Sequence, residues 1–131
     1  MKIQDSPRLP RGLAWAQGLF YLATGLWPLF HMRSFLWVTG PKVDLWLVRT
    51  VGILVAVIGA ALLLGALRRR IGPELALLAA GSAAGLAAID IYYALADRIS
   101  DIYLLDAVAE IGLALLWSLA ALTGRLRDRW A

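Results

Sequence analysis

Two carboxylic acids stand inside a strongly apolar stretch of the chain. Asp106 and Glu110 are four residues apart in the segment 102–122, in which most other residues are apolar. On an α-helix, residues four apart lie on one face, about 6 Å from each other along the axis. Two carboxyl groups so placed are suited to acid–base chemistry or to binding a cation. An ionised acid in the middle of a membrane costs about 2.5–3.5 kcal/mol, so we expect other parts of the chain to shelter this pair.

Two further ionisable residues, Arg49 and Asp90, also lie inside apolar segments. Arg49 shares a helical face with small residues of the kind that a helix turns toward its neighbours, namely Gly52, Ala56 and Ala60. We therefore expect Arg49 to point into a helix bundle, where it would pair with Asp90 or Asp106. One cation does not neutralise three acids, so we expect at least one carboxyl group to be protonated or hydrated.

The composition indicates a membrane protein. Of 131 residues, 61% are hydrophobic, and the mean hydropathy is +0.73, which is too apolar for a soluble domain of this size. Four segments are long enough to cross a bilayer: about 12–30, 45–67, 73–95 and 102–122. We predict that residues 1–131 form one all-α domain, an integral membrane four-helix bundle. The apolar outer loop, 31–44, is expected to lie along the membrane interface.

The distribution of positive charge predicts the orientation of the bundle. The net charge is +4, and nine of the thirteen Lys and Arg residues fall on the side that carries both termini. The positive-inside rule then places the N and C termini in the cytoplasm of a bacterial-type inner membrane. The basic residues are suited to contact with membrane lipids. Nucleic-acid binding is not expected, because no aromatic residues are interleaved with the basic ones.

This topology brings the ionisable residues together in the outer half of the bundle. The second and fourth segments run inward from the outer side and the third runs outward, so Arg49, Asp90, Asp106 and Glu110 fall at similar depths. Aromatic residues and a histidine lie near the same level. The candidate ligand-binding residues are Arg49, Asp90, Asp106, Glu110, Tyr93, Tyr103 and His31.

Several other chemistries are disfavoured. The chain has no cysteine, which excludes disulfides, thiol catalysis and cysteine-ligated metals. His31 is the single histidine, and no HxxxH or ExxH pair is present, so we expect neither a metal site nor a cofactor. No serine stands in a GxSxG motif.

The first segment is glycine-rich, and the second contains an arginine followed by glycines in the run RTVGILVAVIG, from Arg49 to Gly59. With these features the first two segments resemble the DoxX-like group of small bacterial membrane proteins. The resemblance implies a four-helix bundle, and some members of the group are membrane subunits beside quinone-linked oxidoreductases. The acid pair of the fourth segment has no counterpart in the resemblance, so no functional residue follows from it.

Three functions remain open from the sequence. The first is a binding or transport module whose outward-facing acidic cavity takes a cationic or polar ligand or a proton. The second is an accessory or structural subunit whose acidic cluster is packed shut against a larger membrane partner or a second copy of the chain. In the third segment, the GxxxG of Gly81 and Gly85 predicts close packing of a neighbouring helix. The third is a lipid-modifying enzyme that uses the carboxylates as acid and base, although an enzyme is the less favoured interpretation.

Overall fold

The structure, a computed structural model, describes residues 5–130, with side chains up to residue 124. Within this range α-helices are the only regular secondary structure, as predicted. The helices are α1 (Arg8–Phe30), α2 (Met32–Thr39), α3 (Leu45–Leu67), α4 (Pro73–Leu95) and α5 (Ile102–Trp130). Lys2 and the side chains of Arg125, Arg127 and Arg129, which contribute to the predicted orientation, lie outside the described part.

Three helices are long and apolar enough to cross a membrane: α3, α4 and the part of α5 from Ile102 to Gly124. Helix α1 has the same length as α3 and α4, 23 residues. It is less hydropathic because it carries Gln17, Tyr21 and Thr24 along one side. These three residues recur at spacings of four and three, so they share one face of α1.

The outer loop contains a short helix that the sequence interpretation did not predict. His31 leaves the helical conformation, with φ −149° and ψ 78°, and its Nδ1 accepts a hydrogen bond from the backbone N–H of Ser34 at 3.3 Å. This cap starts α2, and Gly40, with φ +97°, ends it. Trp37 and Val43 are 86% and 94% exposed, so α2 and the segment after it present apolar side chains outward.

Helices α1 and α3 form the closest pair, and glycines bring their backbones into contact. A Cβ added to Gly25 would lie 2.5 Å from the backbone nitrogen of Ala56, and one added to Gly59 would lie 2.6 Å from the backbone nitrogen of Leu22. Gly18 and Gly52 face the same interface. Gly18 and Gly25, seven residues apart on one face of α1, thus allow α3 to approach closely.

The second close pair, α4 and α5, does not use the predicted GxxxG. Around Gly81 and Gly85, an added Cβ would meet no atom of the described residues within 4 Å. The buried face of α4 is instead made by Ala79, Ala83, Ala87, Asp90 and Ala94. Gly81 and Gly85 are each two residues from Ala83, about 160° around the helix, and therefore lie on the opposite side.

The bundle is closed at one end by a packed core. Its buried side chains come from all four long helices: Leu13, Ala14, Leu62, Ala66, Ala79, Trp117 and Ala120. Gln17 joins three helices just above this core, because its Nε2 donates to the backbone oxygen of Ala79 at 3.0 Å and its Oε1 accepts from Trp117 Nε1 at 2.6 Å. Toward the end that carries α2, the helices instead enclose a cavity.

Candidate functional site

The cavity has a volume of about 600 Å³, within the range of pockets that hold small organic molecules. All five helices contribute to its wall, which is mostly apolar. Its polar side chains are Tyr21, Thr24, Thr39, Lys42, Asp90, Tyr103, Asp106 and Glu110. We refer to this cavity as the acidic cavity.

Three carboxyl groups line the acidic cavity. Asp90, from α4, is 5% exposed, and Glu110, from α5, is 1% exposed. Asp106, one turn before Glu110, is half-buried. The sequence analysis predicted that these three residues converge, and the structure brings them to one cavity, together with Tyr103.

Glu110 is held by a tyrosine from the opposite side of the bundle. The hydroxyl of Tyr21, on α1, donates a hydrogen bond to Glu110 Oε2 at 2.6 Å, and Tyr21 is 1% exposed. This hydrogen bond joins α1 to α5 across the bundle. The sequence analysis missed Tyr21 because tyrosines are common in membrane proteins. The signal that was available is its position on the polar face of α1, between Gln17 and Thr24.

Asp90 has a different environment. Its Oδ2 is buried and accepts no hydrogen bond from any residue in the described part of the chain. Over the same residues, the one ion pair joins Arg69 to Asp5 at the opposite end of the bundle, so no Lys or Arg nitrogen lies within 4 Å of the three acids. A buried acceptor without a donor costs about 1–3 kcal/mol. The oxygen is therefore placed to accept a hydrogen bond from a bound molecule.

Among the described residues that line the cavity, the one basic side chain is Lys42, which follows α2. Its ammonium donates to Thr39 Oγ1 at 2.8 Å, to the Gly40 oxygen at 3.2 Å and to the Thr39 oxygen at 3.4 Å. It also lies 5.2 Å and 5.1 Å from the ring centroids of Phe35 and Tyr103. Lys42 thereby fastens the end of α2 to α5 and brings positive charge to the cavity wall. In the prediction from the sequence, Lys42 counted only as one of the positive charges of the loop 31–44.

Arg49 does not belong to the acidic cavity, contrary to the prediction. It is exposed, and the face of α3 that packs inward is centred on Gly52, Ala56 and Gly59. Arg49 and Ala60 lie about 60° and 80° around the helix from Gly52, at the edge of this face. The small residues thus serve the contact with α1 and leave Arg49 outside.

Two other candidates are also absent from the cavity wall. Tyr93 is 40% exposed and packs edge-to-face on Tyr92, because the inward positions next to it on α4 are Asp90 and Ala94. The exposed ring of His31 is engaged by Ser34, whose Oγ lies 2.6 Å from Nδ1. His31 therefore acts as a helix cap. Across the described residues, no three His, Cys, Asp or Glu side chains are close enough to hold a metal ion together.

Comparisons with known proteins give no relative for this chain: no family model, no curated protein and no solved structure matches it. The resemblance to the DoxX-like group stays a hypothesis. A functional argument therefore depends on the geometry of the acidic cavity.

Proposed function

We propose that the chain is a four-span protein of a bacterial-type inner membrane, with both termini in the cytoplasm and the acidic cavity open toward the outer side. Helix α1 supports this proposal because it equals α3 in length and packs against it backbone to backbone. If α3 crosses the membrane, α1 crosses with it. Arg8, Arg11 and the turn 68–70 lie at the end opposite α2, as the positive-inside rule requires for a cytoplasmic face.

Single cysteines test this orientation, since the chain has none of its own. Val43 and Glu74 are exposed and lie at opposite ends of the bundle. In intact cells, Val43→Cys reacts with a membrane-impermeant maleimide, and Glu74→Cys reacts only after the membrane is permeabilised. Labelling of Glu74→Cys in intact cells would show that the end of the bundle that carries Glu74 faces outward, contrary to the proposed orientation.

For the cavity itself, we propose that it binds a small organic cation with an apolar body. The observation that carries this proposal is the buried Oδ2 of Asp90, which has no donor in the described chain although it lines a cavity with two other acids. An ammonium group supplies hydrogen-bond donors and positive charge together. The apolar wall provides the surface on which the rest of such a ligand packs.

The charge of the site disfavours other ligand classes. An anion would have to approach Asp90, Asp106 and Glu110, and like charges close together in a dry site repel strongly. A neutral molecule meets no such barrier, but it leaves the negative charge of the carboxylates uncompensated. A cation is the class that relieves the cost of burying these acids.

Three ligands of equal shape test the proposal: 3-phenylpropylammonium, 3-phenylpropan-1-ol and 3-phenylpropanoate. Calorimetry with the purified full-length protein in detergent is expected to show binding in the order cation, alcohol, anion. Asp90→Asn weakens binding of the ammonium about tenfold or more, because a hydrogen bond to a charged group contributes about 1.5–3 kcal/mol. Asp101→Asn, which neutralises an exposed acid at the same end of α5, leaves the affinity unchanged.

Equal binding of all three ligands, or equal losses in the two variants, would contradict a cation site. In that event the second candidate is an accessory subunit of a larger membrane assembly. The observation that favours it is the open face of α4 around Gly81 and Gly85, where no described residue packs. Small residues of this kind allow a helix of another chain to approach closely.

A further inference from the structure

The charged groups of the acidic cavity determine how the cavity can accommodate a cation. The titratable groups that line the cavity with Asp90 are Asp106, Glu110 and Tyr103 on α5, Tyr21 on α1 and Lys42 after α2. Helix α3 contributes only apolar residues and Gly52 to the wall. The site therefore holds three acids and one lysine, with the phenol of Tyr21 as a neutral donor.

Lys42 offsets one negative charge but does not pair with an acid. Its three donors are directed to Thr39 and Gly40, and no carboxylate oxygen lies within 4 Å of its nitrogen. Glu110 differs from Asp90 in having a donor, since the Tyr21 hydroxyl donates to it at 2.6 Å. One lysine offsets the charge of at most one of the three acids, so the carboxyl groups exceed the cations of the cavity wall.

A carboxylate at Asp90 would add negative charge that Lys42 does not offset. Asp90 is buried, faces Asp106 and Glu110, and has an Oδ2 without a donor. A carboxylate in this position would have no counterion within 4 Å and would stand beside the carboxyl group of Asp106, and burial of such a charge costs several kcal/mol. The neutral acid avoids most of this cost.

We propose that binding of a cation to the acidic cavity displaces the proton of Asp90, so that one cation is exchanged for one proton. This inference depends on the cation-binding function proposed above. The O–H bond of the Asp90 carboxyl group breaks, its electron pair stays on the carboxylate, and the proton passes to water at the mouth of the cavity. The carboxylate then pairs with the ligand, and the total charge of the cavity is the same before and after binding.

Exchange of this kind makes the affinity depend on pH. When one proton leaves for each cation bound, the affinity rises about tenfold for each pH unit through the range in which Asp90 still carries its proton. A neutral ligand of equal shape displaces no proton, and its affinity stays constant over the same range. The contrast between the two ligands separates proton exchange from a general effect of pH on folding.

The decisive experiment counts protons directly. The probe is 3-phenylpropylguanidinium, which keeps N–H donors for Asp90 and holds its own proton at pH 7, so that any proton released comes from the protein. Calorimetric titrations of the full-length protein at pH 7 are run in phosphate and in Tris, two buffers with very different enthalpies of protonation. The observed heat is expected to differ between the buffers by the amount that corresponds to about one proton per cation.

Variants assign the proton to its residue. Asp90→Asn keeps the shape of the side chain, weakens binding and abolishes the buffer dependence of the heat. Glu110→Gln also weakens binding but retains the release of a proton, and Asp101→Asn matches the wild type in both respects. Melting curves identify variants that remain folded. If Asp90→Asn does not fold, the wild-type heats in the two buffers and the pH dependence of its affinity decide the matter.

The two proposals fail in distinguishable ways. Absence of binding by any cationic probe would overturn the proposed function and the proton exchange with it. Binding by the wild type with equal heats in both buffers would overturn the exchange alone. Proton release that persists in folded Asp90→Asn would also overturn it, since the proton would then come from another group.

Discussion

Gly25→Ala lowers the free energy of unfolding by about 1–3 kcal/mol or more, because it overpacks the interface between α1 and α3. The new Cβ would lie 2.5 Å from the Ala56 nitrogen and 2.6 Å from the Gly52 oxygen. Both are backbone atoms, so relief requires the two helices to separate. Gly59→Ala is expected to act in the same way, since its Cβ would lie 2.6 Å from the Leu22 nitrogen. Equilibrium unfolding in mixed micelles measures both changes.

Gly81→Ala and Gly85→Ala are the matched controls. They make the same chemical change in a helix, but the added methyl group meets no described atom within 4 Å. Because alanine is favoured over glycine in helices by about 0.5–1 kcal/mol, these variants are expected to be neutral or slightly stabilising. If all four variants were destabilised to a similar extent, the close backbone contact between α1 and α3 would not be the cause of the loss of stability.

The second large effect is expected at Trp117, in the closed end of the bundle. Trp117→Ala removes a side chain that is 2% exposed and leaves Gln17 Oε1 without its donor. Loss of a buried aromatic side chain costs about 3–5 kcal/mol, so the variant is expected to be strongly destabilised or to fail to accumulate. Trp117→Phe retains most of the packing and isolates the contribution of the hydrogen bond.

Trp37→Ala serves as the control for this series. Trp37 is 86% exposed, so its removal changes the stability in detergent by about 0.5 kcal/mol at most. Melting temperatures of the three tryptophan variants, compared in one detergent, provide the measurement. Equal melting temperatures for Trp117→Ala and Trp37→Ala would contradict the packed core described above.

The helices and the convergence of the acids could be predicted from the sequence, since both follow from length, hydropathy and the alternating direction of successive helices. The bounds of α3 and α4 coincide with those read from the apolar runs. Alternation brings Asp90 and Asp106 to one end of the bundle without any knowledge of packing. The existence of α2 was not predictable in this way, because it depends on the cap formed by His31 and Ser34.

Which other polar residues reach the cavity depends on the rotation of each helix about its own axis. The sequence constrains this rotation only weakly. Arg49 is only about 60° from the centre of the packed face of α3, yet this angle leaves it outside the cavity. Lys42 reaches the wall because Gly40, at φ +97°, ends α2 and turns the chain back toward α5. The bond between Tyr21 and Glu110 joins residues 89 positions apart, so no local pattern indicates it.

The packed core at one end and the cavity at the other have a consequence for membrane voltage. In the proposed exchange, a cation that reaches Glu110 from the open end moves through part of the transmembrane field, and a full crossing is worth about 2.3 kcal/mol per charge at 100 mV. Since the core blocks the far side, the displaced proton would leave by the route through which the cation entered. The two charges would then cross the same fraction of the field in opposite directions. The proposed exchange therefore makes occupancy of the site insensitive to the membrane potential and dependent on the concentrations of cation and proton at the open end.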